Sequence, residues 1–183
     1  MSLEIERQFV VNTDHPDWKK IISGKPSYEI IQSTIHRGEW NKLRVRLITD
    51  IKTGKKSAAF TFKVKKRTKK SDPNIRDEYE WSVPYKVALF VMIGHGEVHK
   101  LRYLYRHIDG KMWELDVYQW PNEWIVLADI ELSKTDESFE LPPFLWREVT
   151  KDKKLTNNSF TLHPYTYWTD TEKNWYNSLK NEK

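Results

Sequence analysis

Charged residues recur along this chain in pairs two positions apart, and each pair carries a single sign. Glu4 and Glu6, Glu78 and Glu80, Glu114 and Asp116, and Asp129 and Glu131 are the acidic pairs. Arg44 and Arg46, and Lys100 and Arg102, are the basic ones, and Lys63 follows Thr61 in the same phase. A spacing of two puts both members on one face of a β-strand. Two carboxylates aimed into one space resist sharing it unless a cation joins them. Glu4, Glu6, Asp129 and Glu131 are therefore candidate oxygen ligands for a hard divalent ion, Mg²⁺ or Mn²⁺. The basic pairs suit phosphate, Arg as a bidentate fork and Lys as a mobile point charge. An ion held between carboxylates and phosphate oxygens polarises phosphorus and positions water. That is phosphoryl chemistry with no covalent intermediate.

The residues between the charges say which elements must carry them. Leu3, Ile5 and Phe9 alternate with the first acidic pair, Leu43, Val45 and Leu47 with the arginines, and Phe60, Phe62 and Val64 with Lys63. Tyr79, Trp81 and Val83, then Leu101, Tyr103 and Tyr105, then Trp113, Leu115 and Val117, then Ala128, Ile130 and Leu132 repeat the pattern. This period of two predicts strands over Leu3–Val11, Tyr28–His36, Leu43–Ile48, Ala59–Val64, Asp77–Val83, Lys100–His107, Met112–Tyr118 and Glu123–Leu132. Asp109-Gly110 and Pro121-Asn122 read as hairpin turns. Short helices are expected from His15-Pro16 to Ile22, capped by Asp14, from Pro84 to Ile93, and near Asn174–Leu179. The fold class is mainly β, with a minor helical part. A half-buried sheet with a wet charged face accounts for any one strand. Pairs of fixed sign on strand after strand also suit a barrel with the charges turned inward. Such a lumen is costly when dry and sensible when it holds water, metal and a polyanion.

Composition removes several function classes. The chain has 183 residues, enough for one core and one domain spanning 1–183. It has no cysteine, which excludes thiolate catalysis and cysteine-based metal centres. Its six histidines form no zinc-type motif. Gly54-Lys55-Lys56-Ser57 lacks the upstream glycine of a P-loop, and no triad partners surround Ser159 or Thr150. No apolar run is long enough to span a bilayer and no secretory signal opens the chain, so a cytoplasmic protein without membrane contact is expected. The net charge of +5 fits an anionic partner. The basic run from Lys65 to Lys70 reads as a charged loop between strands, or as a nucleic-acid contact. Tyr165, Tyr167, Trp168, Trp175 and Tyr176 make the end of the chain, 163–183, a helix or strap over the apolar exterior of the barrel. Nothing decides between monomer and homodimer.

The opening Glu4-Ile5-Glu6-Arg7-Gln8-Phe9 resembles the first strand of the CYTH superfamily, the triphosphate tunnel metalloenzymes, whose signature is Glu-x-Glu-x-Lys. The likeness continues through Arg44-Val45-Arg46, Thr61-Phe62-Lys63, Glu78-Tyr79-Glu80, Lys100-Leu101-Arg102, Trp113-Glu114-Leu115-Asp116 and Asp129-Ile130-Glu131. It closes on Arg147-Glu148-Val149-Thr150 and Asn157-Asn158. The resemblance covers roughly residues 3–162. It implies an eight-stranded, closed antiparallel barrel with flanking helices. Its members hydrolyse inorganic triphosphate, thiamine triphosphate or RNA 5′-triphosphate ends, or cyclise ATP. It implies that Arg44, Arg46, Lys63, Lys100 and Arg102 grip the triphosphate. Glu4, Glu6, Asp129 and Glu131 carry the metal, Glu4, Glu6, Gln8 and Glu131 serve catalysis, and Glu78, Glu80, Glu114 and Asp116 orient charge. The subset resembles the bacterial triphosphatases most. The alternatives are a protein that binds RNA or tRNA ends with little turnover, and an adenylate cyclase. Two departures stand out: Gln8 where the signature has Lys, and Asp129 where Glu is usual.

Overall fold

The computed structural model describes the backbone of residues 2–65 and 75–180, and the side chains of residues 5–64 and 77–180. Residues 66–70 of the Lys65–Lys70 run and the side chains of Lys65 and Glu4 lie outside the described residues. Nine strands form one antiparallel sheet in the order β5-β4-β3-β2-β6-β7-β8-β1-β9. They are β1 (Ser2–Val11), β2 (Tyr28–Arg37), β3 (Asn41–Asp50), β4 (Lys56–Lys65), β5 (Ile75–Ser82), β6 (Glu97–Arg106), β7 (Met112–Tyr118), β8 (Val126–Glu131) and β9 (Leu145–Glu148). β1 also pairs with β5 from Ser2↔Glu78 to Ile5↔Ile75, which brings the two flanks of the sheet together around an interior. The helices are α1 (Pro16–Ile22), α2 (Tyr85–Met92), α3 (Asn157–Leu162) and α4 (Asp170–Leu179).

The alternation resolves into an inverted barrel. Apolar side chains face outward and are buried there by what lies over them. Val45, Leu47 and Ala58 on β3 and β4 pack under Ala88 and Met92 of α2. Ile5, Phe9, Tyr103, Trp113, Leu115, Ala128 and Ile130 pack under Trp18 of α1 and under Phe144 and Leu145. The Asp109-Gly110 hairpin forms as expected, with Gly110 at φ +81°, which suits a residue without a side chain.

The structure departs from the sequence expectations at several points. The N-cap of α1 is His15, whose ring accepts from the Asp17 amide, and not Asp14. β8 starts at Val126, because residues 119–125 make a turn held by the buried Asn122. Its amide donates to the Phe160 carbonyl (3.3 Å) and accepts from the Tyr165 amide (3.0 Å). β9 and α3 were not expected as elements. The C-terminal segment does not strap the exterior. Phe160, Trp168, Tyr176 and Leu179 pack against Val10, Val98, Tyr118 and Leu127. Those four share strand faces with Gln8, Lys100, Asp116 and Asp129, two residues away in each case. The segment therefore stoppers one end of the interior.

Candidate functional site: a charged tunnel

The interior holds a cavity of about 280 Å³ lined by Glu6, Gln8, Lys42, Arg44, Arg46, Lys63, Glu78, Lys100, Arg102, Glu114, Asp129 and Glu131, with Thr150, Leu155, Thr156 and Asn157 at its stoppered side. Most of the site residues expected from sequence thus meet in one lumen. Two do not line it. Asp116 lies fully buried beneath it. Glu80 is exposed, and its carboxylate accepts from Thr61 Oγ1 (2.9 Å). Thr61 in turn accepts from Arg44 (3.3 Å), which links Glu80 to the lumen. Lys42, Thr61 and Thr156 were missed. Lys42 continues the Arg44 and Arg46 phase by one more step, which is the signal that would have found it.

The charges alternate along the sequence but segregate around the lumen. The cations sit on β4, β3 and β6, which are consecutive in the sheet except for β2 between them. The carboxylates sit on β7, β8, β1 and β5. Opposite charges meet at the two seams. Lys63 pairs with Glu78 across β4 and β5 (2.9 Å), and Arg102 pairs with Glu114 across β6 and β7.

The β6 cations are tightly held. Arg102 gives Nε to Asp116 (2.7 Å) and its Nη2 to the other Asp116 oxygen (2.8 Å), and Lys100 also bonds Asp116. Burial alone would push the Asp116 carboxyl up, but Lys100 and Arg102 bring it down to about 2. The acidic arc behaves oppositely. Burial, then the charges of Glu6 and Asp116, push the Asp129 carboxyl well above the ordinary range. Burial, then Glu114, Glu6 and Glu78, raise Glu131. Gln8 Nε2 donates to Asp129 Oδ1 (2.9 Å). Tyr118 OH donates to Asn157 Oδ1 (2.8 Å), and the Lys100 ammonium lies 5.7 Å from the Tyr118 ring centroid.

Antiparallel strands with apolar residues outside and opposed charges inside make a charged tunnel. The chain is 34% identical over 93 residues to the inorganic triphosphatase of Acetivibrio thermocellus, a match covering 49% of this chain and 59% of that one. It is 32% identical over 93 residues to the inorganic triphosphatase of Nitrosomonas europaea, covering 48% and 60%. The chain thus spans about 60% of the length of these relatives in the matched region. The crystal structure of the inorganic triphosphatase NE1496 superposes with a TM-score of 0.55 and 27% identity, over 88% of this chain and 96% of that one. No family model matches the chain. In fold and in its charged tunnel the chain is similar to these inorganic triphosphatases.

Proposed function

We propose that the chain hydrolyses a triphosphate inside this tunnel, inorganic tripolyphosphate first, with a divalent metal ion. The observation that carries the reading is the segregation of charge: a cationic arc faces a carboxylate arc across a cavity large enough for a small polyanion. Arg44, Arg46 and Lys63 grip the triphosphate from β3 and β4. Lys100 and Arg102 complete the grip, positioned by Asp116 and Glu114. Glu78 and Glu80 set Lys63 and Arg44, Glu80 through Thr61.

The acidic arc fits a hard ion. Its donors are all carboxylate oxygens, and burial, then the neighbouring charges of Glu114, Glu6 and Glu78, raise Glu131. Among the described residues no three acidic or histidine side chains converge into a ready-made cage. Mg²⁺ or Mn²⁺ is commonly held by one or two carboxylates and completed by substrate phosphates and water. Glu6, Asp129 and Glu131 would hold it, with Glu4 from the same face of β1. When bound, the ion supplies Lewis-acid polarisation of the phosphoryl oxygens. Gln8 can donate a hydrogen bond to a phosphoryl oxygen but can neither bring charge nor take a proton. The residues at 155–157 close one side of the cavity and limit water there.

The test is release of phosphate from tripolyphosphate, thiamine triphosphate, ATP and 5′-triphosphorylated RNA with Mg²⁺ or Mn²⁺, with cyclic AMP measured alongside. Turnover of tripolyphosphate that requires metal and is abolished by Glu131→Gln supports the reading. No phosphate release from any of the four removes it, and cyclic AMP as the main product replaces it with a cyclase.

A further inference from the structure

β2 lies between the cation-bearing β3 and β6, and before its bulge the β2 residues in phase with Arg46, namely Tyr28, Ile30, Gln32 and Thr34, carry no charge. At its centre is Gln32, only 3% exposed and the direct cross-strand partner of Arg46. Among the described residues the buried Gln32 Oε1 finds no hydrogen-bond partner, and neither does the buried Arg46 Nε. An acceptor and a donor are therefore left open on two directly opposed residues, whose Cβ atoms in such pairs lie about 4.5–5.5 Å apart. Leaving both buried and unmade is costly, and a contact between them satisfies each.

We propose that Gln32 is a positioning residue for Arg46, in an inference that rests on the triphosphate reading of the tunnel. When an anion engages the terminal nitrogens of Arg46, its Nε–H turns to the Gln32 amide oxygen. The guanidinium is then fixed edge-on to the ligand with both forks presented. An amide does this without cancelling charge. Arg102 shows the alternative: its nitrogens are engaged by Asp116 and Glu114, so its orientation is bought with two carboxylates. On β3 a neutral acceptor keeps the full positive charge available to the polyanion.

The experiment is a double-mutant cycle on binding, read by titration calorimetry with tripolyphosphate and no metal. Gln32→Leu keeps the side-chain bulk and removes the acceptor. It should weaken binding about tenfold, the scale of one hydrogen bond to a charged group. Its melting temperature should equal or exceed that of the wild type, since an unmatched buried acceptor is gone. In an Arg46→Lys background, where no Nε–H fork exists, the same change should alter affinity by less than about twofold. Affinity of Gln32→Leu within about twofold of wild type overturns the proposal. So does an equal loss in the Arg46→Lys background, or a loss matched by a lowered melting temperature. Phosphate release is followed in parallel. Wild type that turns over while the cycle shows no coupling removes the inference alone. Coupling without turnover removes the hydrolytic reading alone.

Discussion

Asp116 is the residue on which the cationic half of the tunnel turns. It is fully buried and bonded to both Lys100 and Arg102. Asp116→Asn would leave two buried cations facing one neutral amide. Breaking a buried pair in this way costs about 3–5 kcal/mol. The urea midpoint should fall accordingly, and a midpoint near wild type would show that Lys100 and Arg102 find compensation elsewhere. Gln8 poses the opposite question. Its amide holds Asp129, whose carboxyl burial and Glu6 push up. Gln8→Lys would bring a positive charge to that carboxyl and to the reacting phosphate. Turnover of tripolyphosphate should rise about tenfold, or about 1.4 kcal/mol, with little change in affinity. A flat rate with normal binding would mean that position 8 does not act on the transition state. At this scale the sequence was largely legible, because strand phase alone assigns a side chain to a face. Phase could not separate Glu114, which lines the cavity, from Asp116, which lies beneath it. Both share one face, and only the depth of the barrel wall distinguishes them.

The elements read well where the period was long and poorly where it was short. Eight strands of six to ten residues carry clear alternation. β9 has four residues, and α3 has six with no apolar stripe of its own. Neither offers enough residues for a period to show, and both owe their form to neighbours: β9 to β1, α3 to Tyr118 through Phe160. α4 begins earlier than its aromatic residues suggested, because Thr169 and Glu172 form a capping box. Hydrogen bonds from the Thr169 backbone and hydroxyl draw the Glu172 carboxyl down to about 2. A folded-state value below the unfolded one, about 4.3, stabilises the helix above that pH and is lost as pH falls through about 2. Glu172→Ala should therefore melt below wild type at neutral pH, and the gap should close as the pH approaches 2. A gap independent of pH would place the contribution of Glu172 in packing.

Around the whole molecule, strand order converts an alternating sequence into two opposed arcs of charge. An anion bound between them is stabilised by the basic arc and, through metal, by the acidic one. Tripolyphosphate at about 100 times its Kd should stabilise the fold by about 2.7 kcal/mol. The thermal shift should shrink as salt is raised, since the lumen is open to ions. An equal shift with sulfate at the same ionic strength would show general anion binding and no fit to a chain of phosphates. The same strand order also has a kinetic side. β1 is the first strand in the chain, yet Glu4 is opposite Arg76 and Glu6 opposite Glu131. Contacts so remote along the chain are the slowest to form. The hairpins β2–β3, β3–β4 and β6–β7 can assemble locally, with most of the cations already in place. The carboxylate arc is complete only after β1, which carries Glu6, has zipped onto β8. During refolding the molecule should therefore pass through a stage whose inner face has its cations but lacks the carboxylates of β1. Capacity for metal should be acquired last, in step with the slowest phase of recovery.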